Sequence, residues 1–286
     1  MRKRILFFKV CLVVVGPLLV WCTGVPVEPP VSDFSFTVVD VGQGLSQVAV
    51  SAGKALVWDV GDTFASARWR ANYQRLGSPK IGAIVVSHSH RDHCGGLSSL
   101  PPALNFSGLI VTHPFEDTGY IRHIAAQWRK DIRFKSIAQG DTLGGLDGVI
   151  VSCMWPPRDA GVNTPISDSL KNRFSLCFRL SYRESSVLIT SDIDTTAERC
   201  LATDFGFDLA SNILIVPHHG SAAAVDEVFY GYAHPSIAVI SCGLNNPYGF
   251  PTQRVMNMLY RIKAAYYSTA SNGDVTASSN GYYWTF

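Results

Sequence analysis

The stretch Ile81-Gly82-Ala83-Ile84-Val85-Val86-Ser87-His88-Ser89-His90-Arg91-Asp92-His93 decides the fold. Its first six residues form an apolar run of strand length, as expected for a strand covered on both faces. The next seven are all polar and hold three of the chain's eight histidines. Gly95-Gly96-Leu97 then suits a tight turn into a helix. Chemistry gathered where a buried strand ends is the mark of a site on an α/β scaffold. Imidazoles and a carboxylate packed into six positions make the donor set of zinc, manganese or iron. A histidine-rich surface loop is the bland alternative, but His-x-His-x-Asp-His directly after a strand is far more specific than His-x-x-His.

Outward from this stretch, strands and helices follow in a regular order. Phe34-Ser35-Phe36-Thr37-Val38-Val39 alternates as a strand does. It ends in Asp40-Val41-Gly42-Gln43-Gly44, whose glycines allow a tight turn. Gln47-Val48-Ala49-Val50 and Ala55-Leu56-Val57-Trp58 make the next hairpin, closing on Asp59. Further strands are expected at 149–152, 175–180, 186–190, 213–216 and 237–240, with helices near 64–77, 118–130, 195–203, 222–231 and 252–262. The second set repeats the first, so the expected architecture is two sheets covered by helices on their outer faces, in one domain from 34 to 286.

The start of the chain differs in kind. Arg2, Lys3 and Arg4 precede a run from Ile5 to Cys22 that is apolar except for Lys9. A basic stretch followed by an apolar one reads as an export signal over residues 1–24. Three outcomes stay open: cleavage after small residues near Cys22-Thr23-Gly24, lipidation of Cys22 in a lipobox-like Leu19-Val20-Trp21-Cys22, or an uncleaved membrane anchor. All three place the remainder outside the cytoplasm, periplasmic or membrane-anchored. Residues 25–33, with Pro26, Pro29 and Pro30, are a linker. The first 24 residues hold four basic and no acidic side chains, which leaves about 20 Lys+Arg against 22 Asp+Glu in the rest. The domain therefore lacks the basic excess of a general nucleic-acid binder. A charged content of 16% against 47% hydrophobic excludes a disordered chain. The cysteines are widely spaced and do not form a disulfide framework.

Two more expected strand ends carry ligand chemistry. Strand 186–190 runs into Ser191-Asp192-Ile193-Asp194, where Asp194 suits a helix cap and Asp192 suits a ligand. Strand 213–216 runs into Pro217-His218-His219-Gly220. Neighbours on an extended chain point apart, so one histidine reaches the metal; His218 is favoured, leaving His219 to orient substrate or shuttle a proton. His113, His123 and His234 stand alone as surface or core residues.

Together, Asp40-Val41-Gly42-Gln43-Gly44, the 87–96 stretch, Ser191-Asp192-Ile193, Val216-Pro217-His218-His219-Gly220-Ser221 and Asn246-Pro247-Tyr248-Gly249-x-Pro251 resemble the ComEC-type competence hydrolases of the metallo-β-lactamase superfamily. The resemblance covers about residues 34–283 and implies an α+β fold, the αββα sandwich. It implies one or two divalent ions, Zn²⁺ or Mn²⁺, held by His88, His90, Asp92, His93, Asp192 and His218. Asp92 and His219 would take catalytic roles, with Asp59 and Asp40 as carboxylates behind the ligands. His88, His90 and Asp192 would hold one ion weakly, and Asp92, His93, Asp192 and His218 the other tightly. Four positions depart from the pattern. Leu45 stands for an acid, Phe250 for a histidine and His90 for an aspartate, and the segment 172–175 lacks the superfamily's separate histidine.

The implied activity is hydrolysis of DNA phosphodiesters during DNA uptake, with a separately encoded channel protein as a partner and the membrane as another if the anchor is retained. The main alternative is a metal-dependent hydrolase of another ester, a thioester or a lactone. A non-catalytic metal-binding or DNA-handling protein is the third, which Leu45 and Phe250 favour.

Overall fold

The computed structural model describes residues 34–160 and 166–286. The export segment and linker expected over 1–33 lie outside the described residues. Among the described residues no helix is long and apolar enough to cross a membrane.

Two sheets face each other. The first holds eight strands in the order β14-β13-β1-β2-β3-β4-β5-β6. Its members are β1 (Phe34–Val38), β2 (Gln47–Ser51), β3 (Lys54–Trp58), β4 (Lys80–Val85), β5 (Leu109–Thr112) and β6 (Arg133–Ser136). The second, in the order β12-β11-β10-β9-β8-β7, holds β7 (Ile150–Trp155), β8 (Cys177–Tyr182), β9 (Ser185–Ile189), β10 (Ile213–Ile215), β11 (Ile237–Ile240) and β12 (Ala265–Ser268). The chain then returns to the first sheet as β13 (Val275–Ser279) and β14 (Trp284–Thr285).

Three apolar layers follow from the period-two pattern of the strands. Leu56, Trp58 and Val85 face inward and meet Phe178, Leu180 and Val187 between the sheets. Trp58 and Phe178 contact edge to face, with centroids 5.8 Å apart. Val57, Ile84 and Val86 face outward, under α1 (Ser66–Arg75), the short α2 (Arg91–Cys94) and α3 (Thr118–Trp128). Strand β4 is thus buried on both sides, which is why it reads as an unbroken apolar run. Leu188, Leu214 and Ala238 face outward from the second sheet under α4 (Thr195–Phe205), α5 (Glu227–Ala233) and α6 (Gln253–Arg261). Fully burying one such aliphatic side chain stabilises by about 1.5–3 kcal/mol. This is the αββα sandwich.

Strands β3, β4 and β5 run parallel, as do β9, β10 and β11. Ligand sites in parallel sheets lie beyond the carboxyl ends of the strands. Here both parallel sets end beside each other, so segments far apart in sequence meet there.

Three features differ from the sequence expectation. Helix α5 starts at Glu227 rather than near 222, because Asp226 caps it by accepting from the Val228 and Phe229 N–H groups. The strands β5, β6 and β12 appear where none was expected. So do β13 and β14, which complete the first sheet.

Candidate metal centre

The loop after β4 is held from behind by two carboxylates. Asp59, at the end of β3, is buried. Its Oδ1 accepts the Ser87 N–H at 2.8 Å, and its Oδ2 accepts the Ser87 hydroxyl at 2.7 Å and His93 Nδ1–H at 2.8 Å. Glu116 Oε2 accepts the Ser89 N–H at 2.9 Å and lies 3.3 Å from His113 Nε2. The loop backbone is therefore fixed on both sides of His88.

These bonds also set the imidazole tautomers. Asp59 takes the proton on His93 Nδ1, which leaves Nε2 as the free donor atom. Ser87 gives its only hydroxyl proton to Asp59, so its oxygen accepts from His88 Nδ1 at 3.0 Å, and His88 Nε2 carries no proton. His88 Nε2 lies 3.0 Å from His90 Nδ1.

Asp192 follows β9, and its N–H donates to the Ser175 hydroxyl at 3.1 Å. Asp194 caps α4 through the Thr196 and Ala197 N–H groups. His218 and His219 follow β10 in left-handed backbone, with φ of 48° and 57°. Asp59 and Ser191 are left-handed too. Such residues cost of order 1–3 kcal/mol each and persist where the surroundings impose them, often at functional sites.

The cluster itself is tight. His93 Nε2 lies 3.2 Å from Asp192 Oδ2 and 3.9 Å from Asp92 Oδ2. His219 Nε2 lies 3.4 Å from Asp92 Oδ2 and 3.5 Å from Asp192 Oδ2. The donor atoms of His88, His93 and Asp192, and those of Asp92, His93 and His219, lie within 4.8 Å of one another in each set. Burial alone would lower the His93 pKa, but the carboxylates of Asp192, Asp59 and Asp92 outweigh it and raise it well above the usual imidazole range. His219 is likewise pushed against its burial, chiefly by Asp192, up to about 9. Burial would raise Asp192, yet His219 and His93 hold it well below the ordinary carboxylate value.

The residues fit a cation. His93 Nε2, His219 Nε2 and Asp192 Oδ1 are buried and make no hydrogen bond of good geometry. Buried polar atoms without partners are costly, so three within one cluster mark a place for a ligand that accepts their lone pairs. Nitrogen and carboxylate donors suit zinc or manganese.

The expected residues separate as follows. His88, Asp92, His93, Asp192 and His219 come together. His218 does not join either set of donors: its Nε2 faces Asn172 Nδ2 at 3.2 Å and stays 3.8 Å from Asp192. The expectation that favoured His218 assumed an extended chain; the left-handed turn carries His219 inward instead. His90 sits at the rim, with its Nε2 3.7 Å from Asp168. Asp40 is turned away, accepting from the Gly42 N–H at 3.0 Å and Arg68 at 3.1 Å. Leu45, where an acid was expected, is buried in the core between the sheets. Asn172 does lie at the site, in the segment that lacks a histidine. The sequence reading missed the Glu116–His113 pair, for which His113 followed by an acid three residues on was a faint signal. It also missed the Ser241 carbonyl, which accepts from His219 Nδ1–H at 2.9 Å, because a backbone atom gives no sequence signal.

Residues 39–156 match the family described as the metallo-beta-lactamase superfamily. The sandwich and the site agree with that match, which makes residues 39–156 part of a metallo-β-lactamase-superfamily domain, a fold of metal-dependent hydrolases. The chain is also similar to curated competence proteins. It is 29% identical over 242 residues to Competence protein ComA of Neisseria gonorrhoeae, across 84% of this chain and 31% of that protein. It is 28% identical over 246 residues to Recombination protein 2 of Haemophilus influenzae, across 83% of this chain and 28% of that protein. The chain thus spans about a third of the length of these relatives. Among solved structures, the metallo-beta-lactamase fold protein YhfI of Bacillus subtilis matches in fold. Its TM-score is 0.56, with 12% identity, over 86% of this chain and 100% of that one.

Proposed function

We propose that the chain hydrolyses DNA phosphodiester bonds outside the cytoplasm, in DNA uptake, with one or two divalent cations. The observation that carries this reading is the convergence of Asp92, His93, Asp192 and His219, with three buried donor atoms left without partners. The competence names of the relatives point the substrate towards DNA.

Asp92, His93, Asp192 and His219 would hold the tighter ion. His93 has one unprotonated nitrogen to offer that ion, so His88 and His90, with Asp192, would hold the other more weakly. A bound divalent cation supplies Lewis acidity and lowers the pKa of water from about 15.7 to near 7. His218 stands at the mouth of the site. Burial lowers its pKa, so the ring is neutral near pH 7. Asn172 Nδ2 donates to its Nε2 at 3.2 Å, so the ring proton sits on Nδ1, which is buried without a partner. Asp59 keeps His93 in the tautomer that binds. The export segment of residues 1–24 would deliver the domain to the far side of the membrane, beside a separate channel protein.

The test is cleavage of single- and double-stranded DNA by the purified protein with Mn²⁺ or Zn²⁺, and its loss in Asp92→Ala. No cleavage of either substrate overturns the reading. The acidic balance outside residues 1–24 favours a second one, hydrolysis of a non-nucleic-acid ester, thioester or lactone. Turnover of chromogenic esters without DNA cleavage would establish that one instead.

A further inference from the structure

The site opens onto a stack of rings that hydrolysis itself does not require. Phe250 lies face to face with His219, with centroids 6.4 Å apart and planes at 22°. Tyr248 stacks on Phe250 at 5.4 Å and 19°. The column starts on a buried candidate ligand and ends on a tyrosine that is 63% exposed.

The loop that carries the column is rigid. Asn246 Oδ1 accepts from the Tyr248 and Phe250 N–H groups at 3.2 and 3.0 Å. Its Nδ2 donates to the carbonyls of Gly243 and Phe250 at 3.0 and 2.7 Å. One side chain thus ties four backbone groups. The next residues are fastened to the histidine turn, because the Thr252 N–H and hydroxyl both donate to the Gly220 carbonyl, at 2.9 and 3.0 Å. Pro251 presses so closely on Gly220 that a β-carbon there would sit 2.8 Å from it. The rings are therefore held in register with His219 before any ligand arrives, and preorganised surfaces bind with less loss of entropy.

A flat, rigid, exposed aromatic face beside a candidate metal centre fits one ligand chemistry above others, the π-face of a nucleobase. Bases within a duplex are already stacked on each other, so the occupant is an unpaired strand. A second aromatic stands beside the His88–His93 loop: Phe64 is 85% exposed, with the Arg91 guanidinium 5.4 Å from its ring centre. Arg91 adjoins Asp92 and supplies positive charge for the phosphates. Stacking rings combined with cationic groups is how single strands are held without regard to sequence.

We infer that Tyr248, seated on Phe250, is a stacking platform that holds an unpaired base of single-stranded DNA beside the metal centre. This rests on the nuclease reading above and adds its substrate form. The test compares binding of the metal-loaded full chain to two hydrolysis-resistant phosphorothioate strands, an oligothymidylate and the same backbone with abasic sites, by fluorescence anisotropy. The protein should bind the base-bearing strand about ten-fold or more tightly than the abasic one. Tyr248→Ala should close that gap, and should relieve the quenching of a 2-aminopurine placed in the strand. If the gap persists in Tyr248→Ala, or if the unaltered protein cuts single strands yet shows no gap, the platform is overturned and the nuclease reading stands. A gap without cleavage of any DNA supports the platform and overturns the nuclease reading. Neither binding nor cleavage overturns both.

Discussion

His219 Nδ1–H donates to the carbonyl oxygen of Ser241, 2.9 Å away at the end of β11. A carbonyl only accepts, so this bond fixes the tautomer and turns Nε2 towards Asp92 and Asp192. The link joins the turn after β10 to its neighbouring strand and makes His219, not His218, the inward residue.

The two histidines should therefore fail differently when replaced. His219→Ala should weaken binding of the tighter ion by about a hundred-fold or more, since it removes a direct ligand. His218→Ala should keep that ion and lose rate. Metal content by mass spectrometry, with affinity by competition against a chromophoric chelator, separates them; equal metal loss in both variants would refute the assignment.

Asp59→Asn should lower metal affinity by about 10- to 100-fold without unfolding the domain. Asp59 accepts three hydrogen bonds, and an amide nitrogen cannot accept any. Turned one way the new amide faces the Ser87 N–H. Turned the other way it forces the His93 proton onto Nε2 and blocks the ligand. The same chelator competition checks this, with circular dichroism to confirm folding.

Gly44→Ala should displace the ligand loop. The Gly44 φ is +141°, and a β-carbon there would sit 2.4 Å from the Asp92 carbonyl oxygen. Either the turn or the backbone at Asp92 must move. Stability should fall by about 1–3 kcal/mol, and metal affinity should fall with it; a chemical denaturation curve and a metal titration read the two effects.

Glu198 gives the domain a pH-dependent stability remote from the cluster. It is fully buried in α4, with Oε2 accepting the Asp226 N–H at 2.8 Å and Oε1 unpartnered. Burial pushes its carboxyl well above 4.5, beyond what the Asp226 N–H can offset. The unfolded chain loses this proton near pH 4.5 while the folded one keeps it. The contribution is therefore whole below that pH and is lost as pH rises towards the raised folded value. Glu198→Gln keeps the shape and an acceptor, so its denaturation midpoint should fall less between pH 5 and 8 than the parent's. Parallel slopes in the two proteins would refute this.

Much of the fold is legible in the sequence for a physical reason. Strand β4 is covered on both faces, so every residue of 81–86 is small or apolar, and the first polar residue marks the strand end. The same logic found β9 with Asp192 and β10 with the histidine pair. It failed where inward residues are small: β13 faces the core with Val275, Ala277 and Ser279, too little apolar surface to register. It failed on β6, whose Arg133, Lys135 and Ser136 are exposed. At the site, alternation along an extended chain misjudged His218 and His219 because both residues are left-handed, and no residue type announces that.

The pairing of β1 with β13 ties Phe34 to Ser279 and Val38 to Val275. Strand β1 therefore has an open side until the chain has been made as far as β13. Closure across so long a separation is slow, and unpaired strand edges in incomplete chains invite aggregation. A nascent chain stopped short of residue 275 would carry every candidate ligand of the cluster and still leave β1 unpaired on that side, so assembly of the catalytic face is coupled to strands made far downstream of it.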